Sequence, residues 1–289
     1  MTAAPTTPVV VAEALARVPA HDPAGGPGAA WSLVSLLSLV LLGLVALGYL
    51  VLATRESRRR GWCPWRAASF TAGAALLGWA LSPGFDALAD ADFGVHMAQH
   101  LLVAMLAPLA LVLGAPVTLL LRALPPARAR LLGRVLRSGP MHLLAHPVSA
   151  LVLSAGGLAA LYLTPLYAAT TTSEPLHALV HVHLVASGYL FAWVVAGPDP
   201  APGRATVRIR LVVLGMAVAV HAIVAQLLFA GLLVQVHEPV AEMQAAGNLM
   251  YFGGDVAELL LAVALLLTWK PGRRRSPARA QIPAPSLTA

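Results

Sequence analysis

Charged residues and cysteine are scarce in this sequence of 289 residues. Only 11% of the residues are charged and 58% are hydrophobic, whereas roughly a quarter of the residues of a soluble domain are charged. The composition therefore excludes an ordinary soluble domain and predicts long apolar runs that cross a membrane. The single cysteine, Cys63, excludes an intramolecular disulfide and any Cys-x-x-Cys metal or redox motif.

Seven apolar runs are candidates for membrane-spanning helices, each of which needs about 20 residues to cross the bilayer. The predicted spans are residues 31–53, 67–81, 95–121, 147–163, 176–196, 210–234 and 249–269. The second run is short and rich in small residues, which predicts packing against neighbouring helices rather than exposure to lipid. The third contains Pro108 and Pro116, which predict a kink or partial unwinding of this span.

Lysine and arginine are missing from every second connection between these runs. The basic residues cluster in segments 55–66, 122–137, 204–210 and 270–279, and only Arg17 of the 19 lies on the other side. Because cytoplasmic loops carry the basic residues, the amino terminus is predicted outside and the carboxyl terminus in the cytoplasm. The net charge of +7 is therefore a signal of membrane topology, and we expect the lipid bilayer and no nucleic acid as a partner.

The two ends of the chain differ from its apolar middle. Residues 1–30 are rich in Ala, Pro and Gly and lack the apolar core of a secretory signal, so a flexible extracytoplasmic tail is predicted. Residues 31–269 form the predicted transmembrane domain. Residues 270–289, rich in Pro and Arg, are predicted to be a disordered basic cytoplasmic tail. The expected fold class is an all-α integral membrane protein, a bundle of seven transmembrane helices.

Four of the ten histidines form two pairs with the same spacing. His96 and His100 open the third predicted span, and His177 and His181 open the fifth. Residues at i and i+4 share one face of a helix, so each pair points in one direction. Both spans run inward, which places both pairs at the outer face of the membrane. Two imidazoles one helical turn apart can bind one metal ion, and a facing helix can complete the site.

Three further ionisable residues lie deeper in the predicted bundle. His221 follows Arg210 by eleven residues, about 16 Å along a helix, and Glu258 precedes Lys270 by twelve, about 18 Å. The two side chains are therefore predicted at similar depth, with Asp255 one turn before Glu258. Ionisable groups inside a membrane are costly and usually face the bundle interior with a partner.

The donor atoms available to a metal here are imidazole nitrogens, carboxylate oxygens and a few thioethers. The predicted ligands are His96, His100, His177, His181, His221, Asp255 and Glu258, with Met97, Glu242 and Met243 as possible auxiliaries. Thioethers favour Cu(I), and the absence of thiolates in this half argues against iron–sulfur or Cys-type zinc sites. Copper is the predicted metal. The alternative interpretation is that the histidines are interfacial side chains and the methionines only fill space.

The order of several segments resembles one protein family. The segments are HMAQHLLVAMLAPLALVLGAPVTLLLRALP from His96, then HPVSALVLSAGGLAALYLTPLY, HALVHVHLVASGYLFAW before GPDPAP, AVAVHAIVAQLLFAGLL and EMQAAGNLMYFGGDVAELLLAVALL. Together they are similar to the multi-span CtaG-type cytochrome c oxidase assembly proteins of bacteria, from residue 92 to residue 269. The resemblance implies a non-catalytic factor in the bacterial cell membrane that helps to build a haem–copper oxidase, with copper delivery to an oxidase subunit as its usual suggested role.

The resemblance also carries over individual positions. His96 and His100 fall on the family's H-x-x-x-H motif, and His181 and His221 fall on its later helix histidines. Glu242 and Asp255 fall near the family's acidic positions. This chain reads Glu-Met-Gln at 242–244, where members often read Asp-Gln-Gln, so the identity of the ligands stays open.

Three other functions are compatible with the same residues. A zinc-dependent membrane hydrolase could use His96, His100, His221 and Asp255, because a catalytic zinc needs about three protein ligands and an open position. The sequence contains no Ser/His/Asp nucleophile pattern and no zincin motif, which argues against an enzyme. A b-type haem carrier would use histidines on facing helices as axial ligands. A scaffold would merely pair its polar groups with each other.

Overall fold

The computed structural model describes residues 33–269, and every regular element within that range is helical. The α-helices are α1 (Leu33–Arg60), α2 (Pro64–Ala80), α3 (Pro83–Ala91), α4 (Phe93–Leu101), α5 (Ala107–Leu113), α6 (Pro116–Ala123), α7 (Pro126–Leu136), α8 (Gly139–Leu144), α9 (Pro147–Leu151), α10 (Gly157–Leu163), α11 (Leu166–Thr171), α12 (Glu174–Ala196), α13 (Val207–Ala230) and α14 (Val240–Thr268). Two π-helical turns, π1 (Leu102–Leu106) and π2 (Val152–Gly156), join α4 to α5 and α9 to α10. The tails predicted at 1–30 and 270–289 lie outside the described residues.

Five helical segments in the described range are long and apolar enough to cross a membrane. They are Ser35–Arg60, Phe93–Ala123, Glu174–Ala196, Val207–Ala230 and Val240–Thr268, and Pro147–Leu163 is a shorter apolar helix. In the α1 segment only 11% of the apolar window is buried, so its leucine-rich surface is left largely uncovered by the rest of this chain. The chain is therefore an all-helical, multi-pass membrane protein.

The third predicted span is irregular at the two places where prolines interrupt it. The π1 turn ends two residues before Pro108, which has no N–H for the α-helical bond to the preceding turn. The helix then stops before Pro116, where Ala115 adopts a left-handed conformation with φ 52°. The Tyr49 hydroxyl donates a hydrogen bond of 2.7 Å to the Gly114 carbonyl at this break. The predicted unwinding is thus confirmed, and the Gly114 carbonyl at the break accepts a hydrogen bond.

Glycines let several helices approach to backbone contact. A Cβ atom at Gly73 of α2 would lie 2.7 Å from the Leu111 backbone nitrogen and 2.9 Å from the Ala107 carbonyl oxygen of α5. A Cβ atom at Gly188 of α12 would overlap the Ala104 carbonyl in π1. Small residues at helix interfaces are a common means of association within membranes. The prediction that residues 67–81 pack against neighbouring helices is confirmed, because one face of α2 is buried.

The helices α4–α5, α12, α13 and α14 form the centre of the bundle. Helix α12 packs against π1 and α5, α14 packs against α4, and α13 runs along α14. Helices α4 and α12 both begin at the same end of the bundle and both lead into arginine-rich connections at their other end. This shared direction brings the amino-terminal halves of α4 and α12, with their histidines, together.

Candidate metal centre

Four imidazole rings gather where α4 and α12 begin. We call His96, His100, His177 and His181 the histidine quartet. The ring centres are 4.3 Å apart for His96 and His100 and 4.5 Å apart for His177 and His181. Across the two helices, His96 lies 6.4 Å from His177 and His100 lies 6.0 Å from His181, again between ring centres. The structure therefore brings together the two pairs whose spacing suggested a common site.

Local sequence fixes where the first of these pairs begins. Asp92 is the N-cap of α4, and its carboxylate accepts a 3.0 Å hydrogen bond from the Val95 backbone N–H. A second carboxylate, that of Glu242 on α14, accepts a 3.4 Å bond from the Phe93 backbone N–H. Unpaired N–H groups at the start of a helix favour such acidic partners. Glu242, predicted as an auxiliary ligand, is thus engaged in holding the start of α4.

Three nitrogens of the quartet are buried without a hydrogen-bond partner. They are the Nε2 atoms of His96, His177 and His181. A buried polar atom that lacks a partner costs about 1–3 kcal/mol, so three in one cluster are unusual for a site with only a packing role. The remaining ring is held differently, because the Tyr162 hydroxyl lies 2.6 Å from Nδ1 of His100. The contact with Tyr162 fixes the orientation of the His100 ring through Nδ1 and does not involve its Nε2 atom.

The quartet fits a metal by its donor atoms. As the side chains of residues 33–269 stand, no three His, Cys, Asp or Glu groups converge closely enough to hold a metal ion. Imidazoles bound to one ion at about 2.0–2.1 Å have their ring centres roughly 5–6 Å apart, and the quartet's spacings bracket that distance. The three unpartnered Nε2 atoms belong to rings within this range of one another. The donor set is nitrogen alone, which suits copper or zinc.

A groove with an acidic rim leads to the quartet. It has a volume of about 1260 Å³, runs between α1, α3 and α12, and includes both His177 and His181 in its wall. At the histidine end it is lined by Asp86, Asp90 and Glu174. Burial raises the pKa of the Asp86 carboxyl above its usual range, although the hydrogen bond from Gln99 acts in the opposite direction. Three carboxylates therefore line the same groove as His177.

The deeper predicted ligands form a separate group. The Nε2 atom of His221 lies 3.1 Å from the Met250 carbonyl, and its Nδ1 atom lies 3.7 Å from Oε1 of Glu258. Gly254 leaves the space for this ring, since a Cβ atom there would lie 2.5 Å from Nε2 of His221. Asp255 is on the exposed face of α14 and makes no hydrogen bond or ion pair with the residues that the structure describes. The seven predicted ligands therefore divide into the quartet, an inner pair and an outward-facing carboxylate.

The two auxiliary methionines are both buried. The sulfur of Met97 lies 3.8 Å from the Tyr162 hydroxyl, beside the quartet. Met243 belongs to the apolar cluster between α4, α10, α13 and α14. His183, which the helix spacing turns away from the quartet, has its Nε2 atom 3.1 Å from the Leu153 carbonyl in π2. His183 therefore completes the hydrogen bonds of an irregular helix.

Sequence reasoning missed three polar residues that shape the site. Tyr162 and Tyr167 border the quartet, with the ring of Tyr167 5.3 Å from that of His96. Gln99 is fully buried and donates to the Ala80 carbonyl and to Asp86, which ties α4 to α2 and α3. The only signal for these residues was a polar group inside an apolar run, and that signal does not indicate which neighbour the group meets.

Fold and site together define a multi-pass membrane protein with clustered, buried imidazoles near one end of its bundle. The model of the cytochrome c oxidase caa3 assembly factor family, Caa3_CtaG, matches residues 46–270, and the chain belongs to that family. The family resemblance of the sequence is thereby confirmed.

Curated relatives come from mycobacteria. Uncharacterized proteins of Mycobacterium bovis (Mb0105) and Mycobacterium tuberculosis (MT0111) are each 34% identical over 200 residues, and one of Mycobacterium leprae (ML1998) is 32% identical over 201 residues. The matched region is 66% of this chain but only 30% of the length of each relative. No solved structure matches the chain.

Proposed function

We propose that this protein is an assembly factor for a haem–copper oxidase that binds copper through the histidine quartet on the extracytoplasmic side of the bacterial cell membrane. The observation that carries the proposal is the set of three buried Nε2 atoms without hydrogen-bond partners, on His96, His177 and His181. The family is that of cytochrome c oxidase caa3 assembly factors, and copper is a metal that such an oxidase needs. The partner in this proposal is the oxidase subunit that receives the ion.

The proposed topology has seven membrane spans. Besides the five long helices, α2 has 17 residues and the segment Pro147–Leu163 is a shorter apolar helix. A helix of about 17 residues is at the lower limit for crossing the hydrocarbon core, and the many small residues of α2 allow close packing between its neighbours. With seven spans, every arginine-rich connection lies in the cytoplasm and the quartet lies at the outer face.

Each group of the site has a separate role for a cargo ion. The imidazoles of the quartet bind copper as neutral donors, and the Tyr162 hydroxyl holds the ring of His100 in place. The carboxylates of Asp86, Asp90 and Glu174 line the groove outside and attract the cation. Neutral ligands without thiolate suit an ion that has to leave again, because a thiolate would hold soft copper more strongly.

The first experiment is metal analysis of detergent-purified protein, with an optical spectrum of the same sample. Copper near one equivalent or more per chain would support the proposal. A haem Soret band would instead favour the haem carrier, and bound zinc would favour the hydrolase. Protein that takes up no metal after incubation with Cu(I) would contradict the proposal and leave a scaffold as the function.

Neutralising the groove rim should slow copper capture without removing the site. For the variant Asp86→Asn with Asp90→Asn, we expect the association rate to fall about tenfold at low salt, because a cleft of one charge sign raises on-rates by 10-fold to 10³-fold. The rate in the native protein should also decrease as the pH is lowered, since Asp86 loses its charge at a higher pH than an ordinary aspartate. Stopped-flow mixing with Cu(I) at several salt concentrations measures both effects.

The control for this variant is Glu238→Gln. Glu238 lies in the connection between α13 and α14, and it is not part of the groove wall. The control removes a nearby negative charge and should leave the association rate within about twofold. Equal rates in the native protein and the rim variant would show that copper reaches the quartet by another route.

A further inference from the structure

A second cavity lies inside the bundle, deeper than the quartet. Its volume is about 80 Å³, several times the 10–15 Å³ that one water or ion needs. Residues of α4, π1, α5, π2, α10, α12, α13 and α14 form its wall. Its polar lining consists of His100, His221, Glu258, Ser154 and Ser187, and three methionines also line it, Met97, Met105 and Met250. The cavity therefore joins one ring of the quartet to the inner pair.

In the inner pair, His221 and Glu258, each residue has an electron-pair donor atom near that of the other. The Met250 carbonyl can only accept, so Nε2 of His221 carries the proton, and Nδ1 of the neutral ring has a free lone pair. This Nδ1 lies 3.7 Å from Oε1 of Glu258, which is too long for a hydrogen bond. Two ligands of one metal ion, each about 2.1 Å away and at a tetrahedral angle, are about 3.4 Å apart. The observed separation is close to that of two ligands of a shared cation.

The other walls of the cavity include ligands for a soft metal. Three thioether side chains, those of Met97, Met105 and Met250, line it. Thioethers are ligands for Cu(I) and do not take part in proton transfer. Met250 contributes twice, because its carbonyl fixes the His221 ring and its side chain lines the cavity. Met97 and Met250 are both only 1% exposed, so any thioether–metal contact here would be screened from water.

We propose that His221 and Glu258, with the thioether of Met250, form a second copper position beneath the quartet. His100 borders the same cavity and connects the two positions. The proposal rests on the proposed function for the identity of the metal. Asp255 is not a ligand in this proposal, since it is exposed and does not line the cavity. The protein would then hold copper at two depths, one near the outer surface and one inside the membrane.

The test is the copper content of the full chain in detergent, loaded anaerobically with Cu(I) as its acetonitrile complex and then freed of weakly bound ion. We expect two coppers per native chain. The inner variants Glu258→Gln and His221→Gln should each keep one copper, and the quartet variant His96→Ala with His100→Ala should keep the inner one. Asp255→Asn is the matched control, because it removes a carboxylate one turn away on the same helix, and it should keep both.

A spectroscopic measurement identifies the inner ligands. X-ray absorption of the copper-loaded quartet variant should show sulfur at about 2.3 Å, and this signal should disappear in the same protein carrying Met250→Leu. The quartet copper that remains in the inner variants shows that those proteins are folded.

Three results would overturn the inner position. The first is a single copper in the native protein that is lost in the quartet variant. The second is that Glu258→Gln and His221→Gln both retain two coppers. The third is that the inner pair binds zinc in preference to copper. The first leaves the proposed function intact. Native protein that binds no copper at all contradicts the proposed function and this position together.

Discussion

Replacing His96 and His100 together by alanine is expected to remove the quartet's copper and to abolish oxidase activity in cells that depend on this protein. The change deletes two of the four imidazoles, and a metal held by the remaining two lacks the three or four ligands that a stable site needs. Loss of a residue that merely orients a ligand costs 10–100-fold in metal affinity, so loss of two ligands should exceed about 100-fold. Copper affinity by chelator competition and oxidase activity in membranes measure the two effects.

The chain offers a matched control for this double variant. His142 and His146 are also four residues apart, but both are exposed near the arginine-rich connection. His142→Ala with His146→Asn, where asparagine keeps a side-chain acceptor for the Val148 N–H at the start of α9, should leave both readouts unchanged, and the amount of protein in the membrane should be equal in all samples. Normal oxidase activity in the His96/His100 variant, at normal protein levels, would exclude the quartet as the functional site.

Gly188→Ala should be the most destabilising single-methyl change in the bundle centre. A Cβ atom at this position would overlap the Ala104 carbonyl, which belongs to the backbone of π1 and cannot rotate away. Helix α12 has to move outward, and overpacking of this kind costs about 1–3 kcal/mol or more. We expect a lower midpoint of thermal unfolding in detergent and less protein in the membrane. Gly215→Ala on α13 is the control, because nothing lies within 4 Å of its added Cβ atom.

The same change should also weaken copper binding. His181 lies seven residues before Gly188 on α12, so an outward shift of this helix separates its two histidines from the pair on α4. The fraction of Gly188→Ala protein that stays folded is therefore expected to bind copper less tightly than the Gly215→Ala control. Unchanged stability and unchanged affinity would mean that α12 does not pack on π1 as closely as the structure shows.

The roles of the deeper residues differ from the single ligand group that the sequence suggested. Equal depth along two helices predicted that His221, Asp255 and Glu258 belong together, and His221 and Glu258 do face each other. Asp255 lies one turn from Glu258 but on the exposed face of α14. A carboxylate exposed on a membrane helix needs a partner or a proton. Equal depth along two helices therefore predicted a contact only where the rotation of each helix also turned the side chains towards each other.

The sequence by itself determined the class of protein, the apolar helices, the break at Pro108 and Pro116 and the common face of each histidine pair. These properties depend on composition, on proline chemistry and on the 3.6-residue period of one helix, all of which are local. Depth in the membrane is equally local, because each residue adds a fixed rise along its own helix.

Only the tertiary structure decided which local patterns meet. The quartet exists because Gly188 lets α12 contact π1, and His100 is oriented because Tyr162 arrives from α10, far away in sequence. The acidic groove likewise depends on how α3 is placed beside α12. The rotation of each helix about its axis is set by packing between helices rather than by its own sequence, which is why the sequence could nominate ligands but could not group them.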